Sequence, residues 1–275
     1  MTQLSYIILG AGASGLMLAY RMSQDSYFDD KSILIIDQVK DKGNDKTWSY
    51  WEEGEGEWDE LLTKKWPKVF FGSEAFNEIL DISPYSYKMI RSEDFYDNLW
   101  KSIRLKSHIK FVEDDVRSFC ETDVGVKVVT AKSTYFGYKI FNSILDKNSY
   151  VNQKRYPVLQ QHFVGWFIKR KDGFFDDSVA TFMDFNLPQN GNTRFLYVLP
   201  IDKQTALFEY TLFSKDCLKS EEYEKAIKAY LKKKKITDFE VLEKEVGSIP
   251  MTSFKFEQLN SKSILNIGTA GGWTK

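Results

Sequence analysis

The sequence predicts an α/β protein in which an open parallel sheet is interrupted by an inserted antiparallel, β-rich domain. A βαβ pattern occupies residues 5–37, and strand-like segments separated by Gly, Asn, Pro and Asp turns fill residues 155–215. Another apolar strand follows near the end of the chain and is expected to rejoin the first sheet. We therefore predict a discontinuous first domain, 1–150 plus 250–275, and a second domain, 151–249.

The βαβ pattern is the clearest part of the sequence. Residues 6–9 form a short apolar strand that ends in glycines, and a helical pattern with Leu16 and Ala19 at buried positions follows. Residues 33–36 are a second continuous apolar run, typical of a strand covered on both faces of a parallel sheet, and Asp37 ends it. Strand, glycine turn, helix and strand in this order make one βαβ unit.

The remaining elements follow from similar patterns. Residues 43–72 combine aromatic side chains with glycine and charge, and we expect them to be irregular. A helix is expected over 92–105, because Ser92 can cap it, acidic residues follow in its first turn, and apolar residues recur every four positions. The other expected elements are a helix at 220–235 and strands at 109–112, 125–130, 139–144, 164–168, 179–185, 195–200, 206–213, 240–247 and 264–267.

The turn after the first strand carries a dinucleotide-binding fingerprint of the Rossmann type. Its three glycines permit a tight turn, a close approach of the backbone to a pyrophosphate, and packing of the helix on the strand. The helix N-terminus offers N–H groups to the phosphate, and Asp37 is placed to accept hydrogen bonds from a ribose, which favours FAD or NAD over NADP. The predicted cofactor-binding residues of this turn are Gly10, Gly12, Ala13, Ser14, Gly15 and Asp37.

Two other places are candidates for cofactor contact. A second glycine-rich turn at 268–272, with Gly268 and Gly271, is either the return of a Rossmann-type FAD protein to its cofactor or a plain glycine loop. Arg91 precedes the expected helix cap and is placed either to reach a cofactor phosphate or to lie on the surface.

Glu209 is the candidate catalytic acid. In the strand at 206–213, alternation places Glu209 on one face with Leu207 and Thr211, and Phe208 and Tyr210 on the other. A carboxyl group among apolar side chains keeps its proton because desolvation favours the neutral form, which suits a general acid. The alternative is a solvated acid that points outward, and Asp184 has the same two interpretations.

Composition excludes several classes of protein. The chain is 43 % hydrophobic and 16 % aromatic, which excludes disorder, and its formal net charge of −1 argues against a nucleic-acid partner. Two cysteines are too few for a disulfide framework or a Cys-rich zinc site. With only two histidines, far apart in sequence, we predict no metal site. The residues predict no signal peptide and no transmembrane helix, so we expect a cytoplasmic protein whose membrane contact is peripheral.

Several segments together resemble the lycopene cyclase family, in particular the flavobacterial-type lycopene beta-cyclases. The resemblance runs through nearly the whole chain in the same order. Its motifs are ILGAGASGL at 8–16, KTWSYW at 46–51, QHFVGW at 161–166, FMDF at 182–185, FLYVLP at 195–200, LFEYT at 207–211 and GTAGGW at 268–273.

The resemblance implies a reaction without net redox change. An acid protonates the C1=C2 bond at a ψ end of lycopene or a related acyclic carotenoid, C5=C6 attacks the cation, and loss of the C6 proton leaves a β-ionone ring. The family uses FAD in its reduced form, and the residues do not identify the reductant. Glu209 matches the first Glu of the family motif Phe-Leu-Glu-Glu-Thr. Tyr210 replaces the second Glu, so the second acid of the motif is missing from this chain.

The resemblance also implies that the chain is C-terminally incomplete, because family members continue beyond Lys275 with a largely helical segment. The sequence ends three residues after Gly272, where a helix facing the flavin is expected to begin. Two alternatives remain for the function: a redox flavoprotein of the same fold, such as a monooxygenase or geranylgeranyl-type reductase, and a non-catalytic protein that binds FAD or a carotenoid.

Overall fold

The computed structural model describes residues 3–273, which form two compact units. Unit 1 comprises the chain up to Asn44, Glu93–Pro157, and the chain from Ser253 onward; unit 2 comprises Asp45–Ser92 and Val158–Thr252. The boundary predicted from the sequence is wrong for Asp45–Ser92, which belongs to unit 2. The physical reason is strand pairing, since Lys68–Gly72 runs parallel to Val179–Asp184 in the sheet of unit 2.

Helices and strands alternate only at the start of the chain, and strands dominate the rest. The α-helices of residues 3–273 are α1 (Ala13–Gln24), α2 (Ser92–Ile103), α3 (Asn148–Val151) and α4 (Ser220–Lys233). The strands are β1 (Leu4–Leu9), β2 (Ile33–Asp37), β3 (Thr47–Glu53), β4 (Lys64–Trp66), β5 (Lys68–Gly72), β6 (Asn77–Asp81), β7 (Tyr85–Arg91), β8 (Ile109–Glu113), β9 (Val116–Thr122), β10 (Gly125–Thr130), β11 (Thr134–Asn142), β12 (Val158–Lys169), β13 (Val179–Asp184), β14 (Arg194–Pro200), β15 (Thr205–Ser214), β16 (Glu240–Thr252) and β17 (Ile264–Asn266).

The sheet of unit 1 has a parallel core. Its order is β8-β2-β1-β11-β10-β9, and β17 pairs with the end of β11. The strands β8, β2, β1, β11 and β17 run parallel, whereas β10 and β9 form an antiparallel ribbon. Ile33 through Ile36 are all buried, as expected for a strand covered on both faces. The late strand β17 rejoins this sheet, as the sequence predicts.

Unit 2 is a layered β-structure. Its large sheet has the order β16-β12-β15-β14-β13-β5-β6 and is antiparallel except between β13 and β5. Helix α4 packs on one face, where Ile227 contacts a core that includes Trp166 and Phe208. A small sheet, β3-β7-β4, covers the opposite face, where Trp66 packs in a core with Leu207.

The structure confirms the α/β fold class and most predicted elements, and it corrects several others. Residues 43–72 are not irregular, because β3, β4 and β5 lie within them. Strands β6, β7 and β9 and helix α3 were not predicted, β11 begins at Thr134, and β16 continues to Thr252. The strand β3 shows no apolar alternation that could predict it. It forms because it pairs with β7 along its whole length. No helix among residues 3–273 is long and apolar enough to cross a membrane.

Candidate functional site

The glycine turn of unit 1 has the geometry that its fingerprint predicts. Gly10 has a φ of 93°, a conformation that favours glycine, and a side chain on Gly15 would collide with the Gly10 carbonyl oxygen. A Cβ on Gly12 would instead meet no atom within 4 Å. Gly12 is the N-cap residue of α1, so this open space lies at the N-terminus of the helix, beside the N–H groups of its first turn.

Asp37 fastens this turn to the end of β2. Its Oδ2 accepts a 2.6 Å hydrogen bond from the Ala11 N–H, and its Oδ1 accepts from the Val39 N–H at 3.1 Å and from Lys42 Nζ at 2.9 Å. A carboxylate offers about four acceptor positions, so one position remains for a hydroxyl donor. The role of Asp37 toward a ribose stays a prediction.

The second glycine turn lies against the first, within unit 1. Gly268 has a φ of 58° and begins a short 3₁₀ turn that ends at Gly271. A side chain on Gly268 would collide with Ser14 Oγ, in the first turn of α1. Both glycine turns therefore face the same helix N-terminus. The open space at Gly12 and the close packing of Gly268 on Ser14 fit a dinucleotide at this helix N-terminus. Cofactor contacts of Ala13, Ser14, Gly268 and Gly271 stay a prediction.

Arg91 lies in unit 2 at the end of β7. Its Nη2 contacts both carboxylate oxygens of Glu243 at 2.6 Å, and its guanidinium lies 4.2 Å from the centre of the Phe167 ring. The side chain is 16 % exposed and therefore only partly accessible. A role of Arg91 toward a cofactor phosphate stays a prediction, and the phosphate would compete with Glu243.

Glu209 lies in one row of residues that crosses the sheet of unit 2. Glu209 on β15 lies between Tyr197 on β14 and Gly165 on β12. On the other side of Gly165, the opposed residue is Glu245 on β16. Opposed residues of antiparallel strands share a face, so all four lie on the side of Leu207. The alternation predicted for Glu209, Leu207 and Thr211 is confirmed, since Phe208 and Tyr210 pack on the α4 side.

The carboxyl groups of Glu209 and Glu245 hydrogen-bond to each other across Gly165. Thr211 Oγ1 donates to Glu209 Oε1 at 2.7 Å, and Thr47 Oγ1 donates to Glu245 Oε2 at 2.7 Å. Two ionised carboxylates are acceptors only, so a hydrogen bond between them requires a proton on one of them. We call Glu209 and Glu245 the carboxyl pair.

The environment favours the proton on Glu209. Desolvation by burial and the charge of Glu245 raise the pKa of Glu209 to about 8, although Thr211 opposes this shift. Burial also raises the pKa of Glu245, but Thr47 and the positive charge of Arg91 act in the opposite direction. Glu209 keeps part of its surface accessible while protein atoms surround its carboxyl group, and Glu245 is 7 % exposed.

Aromatic side chains surround the carboxyl pair. The ionised form of Glu209 acts on the hydroxyls of Tyr87 and Tyr197, and burial raises the pKa of both phenols above their usual range. Tyr87 and Tyr197 belong to a cluster of ring contacts in which Phe182 contacts both and Trp51 contacts Tyr87, with centroids 5.0–6.0 Å apart. The carboxyl pair therefore has an apolar, π-rich neighbourhood and few competing donors.

Other candidate residues have structural partners. Asp184 is fully buried and accepts hydrogen bonds from the Tyr230 hydroxyl at 2.6 Å and the Asn186 N–H at 3.0 Å. His162 is buried between the Tyr223 hydroxyl and Ser214 Oγ, at 2.6 and 2.7 Å. Within residues 3–273, no cluster of three or more His, Cys, Asp or Glu side chains has the arrangement of a metal site.

Glu245, Gly165 and Thr47 are parts of the site that the sequence patterns do not reveal. Alternation along the predicted strand at 240–247 could place Glu245 on a face with Glu243, but not opposite a particular residue of another strand. The register between β12, β15 and β16 brings the carboxyl groups together, and these strands are separated by tens of residues in sequence.

A Rossmann-type turn in a parallel sheet, followed by a layered β-unit with an acid among apolar side chains, defines a two-unit α/β protein. The family model for lycopene cyclase proteins matches residues 6–275. The chain therefore belongs to the lycopene cyclase family. A comparison with curated protein sequences finds no match.

Solved structures share the fold at low sequence identity. A geranylgeranyl bacteriochlorophyll reductase-like protein from Thermoplasma acidophilum aligns with a TM-score of 0.72 and 10 % identity, over 99 % of this chain and 72 % of its own. The flavin-dependent brominase Bmp2 aligns with a TM-score of 0.65 and 12 % identity, over 98 % of this chain and 72 % of its own. At these identities the likeness establishes the fold alone.

Proposed function

We propose that the protein is a flavin-dependent lycopene beta-cyclase of the flavobacterial type, which converts ψ ends of lycopene into β-ionone rings. The observation that carries the proposal is the position of the Glu209 carboxyl group, which lies in one row with Tyr197 and Glu245 in a member of the lycopene cyclase family. Glu209 is the proposed catalytic acid, and unit 2 is the proposed substrate unit.

Glu209 meets the chemical requirements of this reaction. It donates its proton to the C1=C2 bond, and the ring carbon C6 releases a proton later, so the substrate keeps its composition. A pKa of about 8 keeps the acid protonated at neutral pH without making it too weak to donate. The faces of Tyr87, Tyr197 and Phe182 stabilise cationic character on carbon better than aliphatic side chains do.

Unit 1 is the proposed FAD-binding unit. The N–H groups at Gly12, Ala13 and Ser14 would hold the pyrophosphate, Asp37 would bind the adenosine ribose, and the turn at Gly268–Gly271 would form the adjoining wall. Reduced FAD, when bound, supplies electron-rich character that stabilises a carbocation without transferring a hydride to the product. We propose a cytoplasmic protein with peripheral membrane contact, because an acyclic carotenoid partitions into the bilayer.

Product analysis with lycopene and reduced FAD tests the proposed reaction. The protein is expressed from its complete gene, and we expect a cyclic product whose mass equals that of lycopene. The Glu209→Gln variant should retain its fold and flavin but lose about 10²–10⁴ in rate, whereas Glu240→Gln, an exposed acid on β16, should match the parent. Near-parental turnover by Glu209→Gln would exclude the acid assignment; an added oxygen, added hydrogens or unchanged lycopene would exclude cyclisation.

Flavin retention tests the cofactor site separately. Replacing Asp37 by Ala should weaken FAD binding by about 1.5–3 kcal/mol, the value of a hydrogen bond to a charged group. Gly12→Val should block the open space in front of α1 and also release flavin. If both purified variants hold flavin like the parent, the cofactor lies elsewhere.

A further inference from the structure

The carboxyl pair depends on a glycine between its two members. Neighbouring strands lie about 4.8 Å apart, so β15 and β16 are separated by two such spacings with β12 between them. At most positions the side chain of the middle strand would fill this gap. Gly165 has none, and a Cβ there would lie 2.8 Å from Glu245 Cγ and 2.9 Å from Leu207 Cδ1.

The hydrogen-bond donors around each acid differ. Glu245 receives the Thr47 hydroxyl and faces Arg91, which is itself held by Glu243 on the same strand. Among the described residues, the Thr211 hydroxyl donates to Glu209, and the other titratable groups that face it are the phenols of Tyr87 on β7 and Tyr197 on β14. The Glu243 carboxylate opposes ionisation of Glu245, whereas the Thr47 hydroxyl and the Arg91 guanidinium favour it. No cation among residues 3–273 acts on Glu209, so Glu245 is the better site for the negative charge.

We infer that Glu245 is a positioning residue for the acid: its carboxylate accepts the hydrogen bond of the Glu209 carboxyl group across Gly165 and holds the proton there. This inference rests on the proposed role of Glu209 and identifies what orients and retains its proton. The second acid of the family motif is replaced by Tyr210 in this chain. The partner carboxylate comes instead from a different strand, β16.

The arrangement also explains the orientation of the acid. Thr211 donates a hydrogen bond to Oε1 of Glu209, and Glu245 also acts on this carboxyl group, so both neighbours restrict its orientation. After the proton leaves, two carboxylates would face each other across Gly165, and like charges at this distance are costly. The pair therefore recovers a proton readily once the ring carbon has released one.

Titration of Glu209 by carbon NMR tests the inference without substrate or flavin. The side-chain carboxyl carbons of glutamate are labelled, and the Glu209 signal is assigned by its loss in Glu209→Gln. In the parent we expect a midpoint near pH 8. In Glu245→Gln, which keeps the shape and removes the charge, the midpoint should fall by about one unit or more. In Glu240→Gln, an exposed acid of the same strand, it should not move.

Gly165→Ala provides a second arm that leaves both acids in the chain. Its Cβ displaces Glu245, so the midpoint of Glu209 should fall as it does in Glu245→Gln. If Gly165→Ala does not fold, the isosteric Glu245→Gln variant decides. An unchanged midpoint in folded Glu245→Gln overturns the inference.

The pH profile of cyclisation separates the inference from the proposed function. In Glu245→Gln the alkaline decline of turnover should shift to lower pH together with the NMR midpoint, whereas a purely structural defect would lower turnover without moving the profile. A shifted midpoint in a protein without cyclase activity would retain the carboxyl pair and refute the proposed function. Active protein with an unmoved midpoint would refute only the role of Glu245.

Discussion

Asp184 and Glu209 are two acids of the same sheet whose pKa values are shifted in opposite directions. Asp184 faces α4 and is fully buried, yet the Tyr230 hydroxyl, the Asn186 N–H and Lys234 hold its pKa below the usual range although burial opposes ionisation. Glu209, on the other face, meets a second carboxyl group and keeps its proton. The comparison shows that burial alone does not set the charge of an acid, since the neighbouring donors decide it.

The largest expected difference concerns stability. Replacing Asp184 by Ala removes a charged acceptor and leaves the Tyr230 hydroxyl buried without it, so the free energy of unfolding at pH 7 should fall by about 3 kcal/mol. Urea denaturation measures this change. The exposed Asp238→Ala serves as a control and should stay within about 0.5 kcal/mol of the parent. A loss below about 1 kcal/mol for Asp184→Ala would contradict the account of its partners.

The pH dependence of stability should have opposite signs at the two acids. The folded-state pKa of Glu209 lies above its usual 4.5, so its contribution is complete below pH 4.5 and is lost as the pH rises through about 8. Relative to Glu209→Gln, the parent should lose stability across this window. The folded-state pKa of Asp184 lies below 3.8, so its contribution is present above pH 3.8 and is lost in more acidic solution.

Unfolding curves at a series of pH values measure both effects. The difference between the parent and Glu209→Gln should shrink or reverse toward pH 9, and the difference between the parent and Asp184→Asn should shrink toward acidic pH. Parallel curves for the parent and Glu209→Gln from pH 5 to pH 9 would mean that Glu209 titrates normally in the folded protein.

The local parts of the fold were predictable from the sequence. The glycine turn, α1 and β2 lie within about one βαβ unit, where spacing alone determines which residues meet. Alternation along β15 placed Glu209 on the face of Leu207 for the same reason. The sequence did not decide whether Asp184 is buried or solvated. The structure buries it against α4, where Tyr230, 46 residues away in sequence, donates a hydrogen bond to it.

The non-local parts were not predictable from the sequence. β3 shows no apolar alternation of its own and is stabilised by pairing with β7. β5 and its hairpin partner β6 join a sheet whose remaining strands follow residue 157. The same limit applies to Glu245, because only the register of β12 against both β15 and β16 places it opposite Gly165. Patterns in sequence specify faces of a strand, whereas the partner of a given residue depends on the register of the whole sheet.

The infrared spectrum of the protein at pH 7 reports directly whether Glu209 carries a proton, because protonated and ionised carboxyl groups absorb at different frequencies. The spectrum of Glu209→Gln is subtracted from that of the parent, with glutamate isotopically labelled. We predict a protonated carboxyl band in the parent that is absent from Glu209→Gln. A difference spectrum that contains only carboxylate bands would show that Glu209 is ionised at neutral pH and would contradict its assignment as the acid.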